Sequence, residues 1–144
     1  MILAGPQASE SFGARLAELV RPGDVVTLSG PLGAGKTSIA RGLLAALGLQ
    51  GEAPSPSFAI VQPYAPPEVP VLHIDLYRID DSHEIAELGL DDAAGDSVLL
   101  IEWPERAPGW WPDALPLVLE MLPDGPRRLT ADVPAGWKDR WQQI

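Results

Sequence analysis

Gly30-Pro31-Leu32-Gly33-Ala34-Gly35-Lys36-Thr37 spells the pattern G-x-x-x-x-G-K-[ST], and the rest of the chain can be read outward from it. Glycines let successive backbone N–H groups turn inward as a cradle for an anion. Lysine at this spacing supplies a point charge between β- and γ-phosphates, and threonine offers its hydroxyl to Mg²⁺. At average residue usage, chance produces such an octet in about one sequence of this length in two hundred. The surroundings reduce that figure further. Val25-Val26-Thr27-Leu28 is a short, nearly all-apolar run immediately before the octet, as expected for the central strand of a parallel sheet. After it, Ser38 to Leu47 sets Ile39, Leu43 and Leu47 on one helical face, and Gly48 ends the pattern. Strand, glycine loop and helix in this order make a nucleoside triphosphate site. Gly33, Ala34, Gly35, Lys36, Thr37 and Ser38 surround the phosphates, and Thr37 meets the metal.

Further elements follow on both sides. Ser9 is a plausible N-cap for a helix bearing Phe12, Leu16, Leu19 and Val20 at helical spacing, broken by Pro22-Gly23-Asp24. Gln50 to Ser57 reads as loop and Phe58-Ala59-Ile60-Val61 as strand. Pro63 to Pro70 holds four prolines and reads as a surface excursion. Val71-Leu72-His73-Ile74-Asp75 and Val98-Leu99-Leu100-Ile101-Glu102 are buried-type strands, each ending in an acid. Asp81 and Glu84 have capping-box spacing before a short helix that Gly89 stops. Leu117 to Leu122 and Arg128 to Val133 flank Pro123-Asp124-Gly125-Pro126 as a terminal hairpin. Trp137 and Trp141 pack a last helical turn. Strands alternating with helices and then a hairpin predict a three-layer α/β P-loop fold, its central sheet mainly parallel with an antiparallel edge.

The 144 residues fit a single domain over 1–144. There are no cysteines, which excludes disulfides, thiolate metal sites and a cysteine nucleophile. Two histidines, His73 and His83, are too few for a histidine-built zinc site. A formal net charge of −10 repels phosphate backbones and anionic membranes, so any nucleic acid is expected to be met through a partner. The first residues do not read as a signal peptide and no apolar run is long enough for a bilayer, which makes the cytoplasm the expected location and excludes a membrane role.

Hydrolysis needs more than a phosphate cradle. It requires a carboxylate near the metal and a group that positions the attacking water. Ligands of open α/β sheets bind beyond the carboxyl ends of parallel strands, where Asp75 and Glu102 would face the loop. Strand pattern alone leaves open which of them touches metal-bound water and which orients the nucleophile. Ser55-Pro56-Ser57-Phe58 occupies the place where a segment sensing the γ-phosphate is expected, or a plain turn.

Taken in order, Gly33-Ala34-Gly35-Lys36-Thr37, Ser55-Pro56-Ser57-Phe58, His73-Ile74-Asp75-Leu76-Tyr77-Arg78, Glu87-Leu88-Gly89 and Ile101-Glu102-Trp103-Pro104-Glu105 resemble the TsaE (YjeE) family of bacterial ATPases, over roughly residues 9 to 130. The resemblance implies an ATP-hydrolysing accessory subunit, using ATP and Mg²⁺, in the synthesis of N6-threonylcarbamoyladenosine at position 37 of tRNA. It implies TsaD and TsaB as partners, weak hydrolysis outside their complex, and contact with tRNA only through that complex. It further implies metal binding by Thr37, Asp75 and Glu102, hydrolysis by Asp75 and Glu102, a functional Trp103, and a switch at Ser55 to Phe58; Lys36, the charge between the phosphates, is the third catalytic candidate. Pro31 stands where the family usually has an acid, and Ser57 where it has threonine. A small-molecule kinase is the alternative with the same P-loop, although the eight arginines form no obvious basic lid. A nucleotide-dependent adaptor with little turnover is a third class. No Asn-Lys-x-Asp motif is present, which argues against a GTPase. Trp110 and Trp111 are read as core cover, Tyr77 as packing, and Arg127 and Arg128 as a solvated face.

Overall fold

The computed structural model describes residues 1–50, 61–81, 83–90 and 95–144. Among the described residues, seven strands form one sheet: β1 (Ile2–Leu3), β2 (Val25–Ser29), β3 (Val61–Tyr64), β4 (Val71–Asp75), β5 (Val98–Glu102), β6 (Leu115–Met121) and β7 (Arg127–Ala131). Their order is β1-β7-β6-β2-β5-β4-β3. The four central strands are parallel, with Val26 opposite both Leu100 of β5 and Leu115 of β6. Antiparallel pairing, expected at one edge, occurs at both: β3 on β4, and β7 between β6 and β1.

The central strands are buried along most of their length because both faces of the sheet are covered, and successive side chains enter opposite faces. Val98 and Leu100 of β5 enter one cluster with Phe12, Leu16, Ile39 and Leu43, while Leu99 and Ile101 enter another with Ile79 and Ile85. The first cluster lies under α1 (Pro6–Ala17) and α2 (Lys36–Ala46). The second is covered by residues 76–81 and 83–90, including α3 (Glu84–Glu87), together with Trp103, Ala107 and Trp111. The expected three layers are present, the third of them thin.

Three expectations shift. Helix α1 begins at Pro6, whose fixed φ suits the first helical position. Ser9 is therefore no cap: it is buried inside the helix, and its N–H donates to the Gly5 carbonyl at 3.0 Å. Strand β3 runs through Pro63, inside the stretch read as irregular. An edge strand tolerates proline because the N–H it lacks would face outward, and Pro63 stands opposite Leu72 of β4. Of the strand expected at residues 58–61, all but Val61 lies outside the described residues. Asp81 accepts a hydrogen bond from the N–H of His83 (2.9 Å) ahead of α3, an Asx turn where a capping box was expected.

Helices α1 and α2 meet through glycine. A Cβ on Gly42 would fall on the Glu10 carbonyl, and one on Gly13 on the Ile39 carbonyl. This close approach fixes α2, the helix that follows the phosphate loop, against the body. Trp137 is buried, and Trp141 on the final short helix (Lys138–Trp141) meets the Phe12 ring edge-on at 6.2 Å. Among the described residues no helix is long and apolar enough to cross a membrane.

Candidate nucleotide site

Strands β2, β4, β5 and β6 run in one direction, so Ser29, Asp75, Glu102 and Met121 close the same pole of the sheet. The glycine loop leaves β2 there and enters α2 at Lys36. Gly30 (φ 147) packs so tightly that a Cβ would approach the Leu119 carbonyl to 2.7 Å. Gly35 (φ 101) is the left-handed residue from which α2 starts. Pro31 accepts a hydrogen bond from the Ala34 N–H at 3.1 Å, closing the first turn of the loop. Thr37 and Ser38 are half-buried in the first turn of the helix, whose free N–H groups favour an anion.

Lys36 is 5% exposed. Its Nζ donates to the Gly30 carbonyl at 2.7 Å and lies 4.0 Å above the Trp103 ring. Burial lowers its proton affinity, opposed by the carboxylates of Glu102, Asp75 and Glu105. Lysine and both strand-end acids thus share one electrostatic neighbourhood, drawn from three elements.

Asp75 and Glu102 are register partners across β4 and β5. Glu102 is buried, and its Oε2 lies 2.7 Å from Nε2 of buried His73. An ionised carboxylate only accepts, so Nε2 carries the proton in that pair. Asp75 is half-buried, and its Oδ1 accepts the Tyr77 N–H at 2.9 Å. Burial raises its pKa. The Tyr77 hydrogen bond opposes that shift, Glu102 adds to it, and Lys36 and His73 work against it. One acid is therefore held by a buried hydrogen bond; the other is half-buried, with its pKa raised by that burial.

Trp103 follows Glu102 in a left-handed conformation (φ 59), uncommon for a bulky residue. Its ring packs against Tyr77 at 4.9 Å with the planes tilted by 54°, and Arg106 lies 5.7 Å from the Tyr77 ring. Tyr77 is exposed rather than packed inside. Trp110 and Trp111 line a cavity of about 380 Å³ with Asp24, Val25 and Trp137, at the opposite pole of the sheet. Ser55 to Phe58 lies outside the described residues.

Two residues of this pole escape a reading by sequence. His73 is one, although its two-residue spacing from Asp75 on a strand puts both on one face and is a usable signal. Arg127 is the other: rather than joining a solvated face, it donates from Nη2 to the Gly33 carbonyl at 3.1 Å. No local signal announces a contact spanning 94 residues.

Among the described residues no group of three or more His, Asp and Glu is placed to hold a metal ion. The Thr37 hydroxyl and the two carboxylates are hard oxygen donors, a set that suits Mg²⁺ when phosphates and water complete it.

Residues 3–128 match the family described as threonylcarbamoyl adenosine biosynthesis protein TsaE. A relative from Streptomyces coelicolor, named tRNA threonylcarbamoyladenosine biosynthesis protein TsaE, is 47% identical over 97 residues, covering 65% of this chain and 66% of its own. One of the same name from Bacillus subtilis is 35% identical over 127 residues, covering 87% and 79%. The crystal structure of YdiB from Bacillus subtilis superposes with a TM-score of 0.83 at 28% identity, covering 99% of this chain and 90% of that one.

Proposed function

This chain belongs to the TsaE family, and on that premise we propose that it is a Mg²⁺-dependent ATPase. We place it as the accessory subunit of the bacterial machinery that makes N6-threonylcarbamoyladenosine at position 37 of tRNA. The observation that carries this reading is the burial of the P-loop lysine beside two strand-end carboxylates held in register. In the proposed cycle the N–H groups of Gly33 and of Gly35 to Ser38 cradle the phosphates, with Ala34 holding the loop's turn through its bond to the Pro31 carbonyl. Lys36 leaves the Gly30 carbonyl and the Trp103 ring to lie between them. Glu102, fixed by His73, keeps one orientation throughout. Asp75, whose proton affinity burial raises, accepts a hydrogen bond from the attacking water and orients it. Bound Mg²⁺ would neutralise developing phosphate charge, and Thr37, Asp75 and Glu102 are the residues that would hold it or its waters.

A net charge of −10 supports contact with tRNA through partners rather than directly, and we take TsaD and TsaB homologues in the cytoplasm as those partners. Phosphate release from ATP, measured with this chain alone and then with its TsaB and TsaD homologues, tests the reading. Slow turnover that rises sharply in the mixture is expected. Turnover indifferent to the partners, with phosphate passed to a small-molecule acceptor, would replace it with the kinase alternative.

A further inference from the structure

We propose that Arg127 is a positioning residue for the phosphate loop, holding the tip of that loop in its nucleotide-binding shape from the far hairpin. The inference rests on the ATP-binding reading given above. Strand β6 runs parallel to β2, so the β6–β7 turn comes back to the pole where the glycine loop sits. Asp124 (φ 70) and Gly125 (φ 102) make the turn, which closes with the Leu122 N–H donating to the Pro126 carbonyl at 2.9 Å. Arg127 is the first residue of β7, paired with Met121 on one side and Leu3 on the other. Its backbone is therefore fixed by two ladders before its side chain makes any contact.

The guanidinium bridges two carbonyls. Nη1 donates to Gly125 within the turn and Nη2 to Gly33 in the loop. A planar fork can hold both at once, whereas an ammonium is a single point charge. Gly33 needs such an anchor. It has φ 80, nothing lies within 4 Å of where its Cβ would be, and the neighbouring Leu32 is 70% exposed. The loop tip is thus unsupported by packing. With the Ala34 N–H on the Pro31 carbonyl at 3.1 Å and the Arg127 guanidinium on the Gly33 carbonyl, the Gly33–Ala34 peptide plane is held from both sides, which sets the direction in which the loop enters Gly35 and α2.

The test uses the whole chain with Arg127→Ala and Arg127→Lys, titrated separately with Mg-ADP and Mg-ATP by calorimetry. The contact is partly solvated, so a moderate effect is expected. Both variants should bind five- to tenfold more weakly, equally for ADP and ATP, because the cradled β-phosphate is common to both. KM should rise with kcat within twofold. Amide exchange at residues 33–37 should quicken while the β6–β7 ladder keeps its protection. Lysine restoring wild-type affinity would mean that charge alone acts, and would overturn the clamp. Loss of affinity for ATP with ADP unchanged would place the guanidinium on the γ-phosphate and overturn it equally. Wild-type affinity in both variants would refute it outright. Should Arg127→Ala fail to fold, Arg127→Lys and Arg127→Gln give the same readouts. A wild-type chain that binds neither nucleotide would instead refute the ATPase reading and leave the loop contact as architecture.

Discussion

Replacing His73 with leucine isolates the support beneath Glu102. The two side chains are almost wholly buried and meet at 2.7 Å, and no other hydrogen bond to the Glu102 carboxylate is formed among the described residues. Leucine fills similar space and donates nothing, so a buried carboxylate loses its partner. A hydrogen bond to a charged group is worth about 1.5–3 kcal/mol. At roughly 3 °C per kcal/mol for a chain of this size, the melting temperature should fall by about 5–9 °C. Glu102 would also lose its fixed orientation, and ATP turnover should drop by roughly tenfold or more. His73→Gln retains an N–H donor and should recover part of both losses. Calorimetric melts at neutral pH and steady-state phosphate release measure the two effects. If His73→Leu melts and turns over like the parent chain, the pair is neither a structural nor a functional support.

Lys36→Ala should weaken nucleotide binding by about 10- to 100-fold without lowering the melting temperature, since burial already disfavours its charged form; unchanged affinity in calorimetric titration would sink the P-loop reading. Asp75→Asn should cut turnover by about 10²-fold and leave stability at neutral pH equal or higher. The sign follows from the raised pKa of Asp75: the folded state binds more protons than the unfolded one above the ordinary carboxylate range, so stability declines as pH rises through that window. Melts of parent and variant across that range should show the decline in the parent alone, and a variant less stable at neutral pH would contradict it. Gly42→Ala gains helix propensity yet forces a methyl onto the Glu10 carbonyl, so a net loss of about 2 kcal/mol, or roughly 6 °C, is expected. A melt at or above the parent value would show that the two helices separate easily.

Much of the site was legible because its parts are local. The octet from Gly30 to Thr37 needs only backbone freedom, one cation and one hydroxyl at fixed spacing, flanked by a strand and a helix. Strands β4 and β5 announce themselves as apolar runs, each with an acid at its end, and parallel topology brings both acids to the loop. Errors fell where local pattern competes with position. Ser9 looks like a cap, yet Pro6 starts the helix earlier, and four prolines look irregular although an edge strand accepts one of them.

A phosphate loop and two strand-end acids can be read from the chain before it is folded, since each is written within a few consecutive residues. The grip of His73 on Glu102, the cover of Trp103 over Lys36 and the reach of Arg127 to Gly33 exist only in the folded chain. Those contacts join residues 29, 67 and 94 positions apart, and side chains so distant meet only after strand order and register bring their elements to one pole.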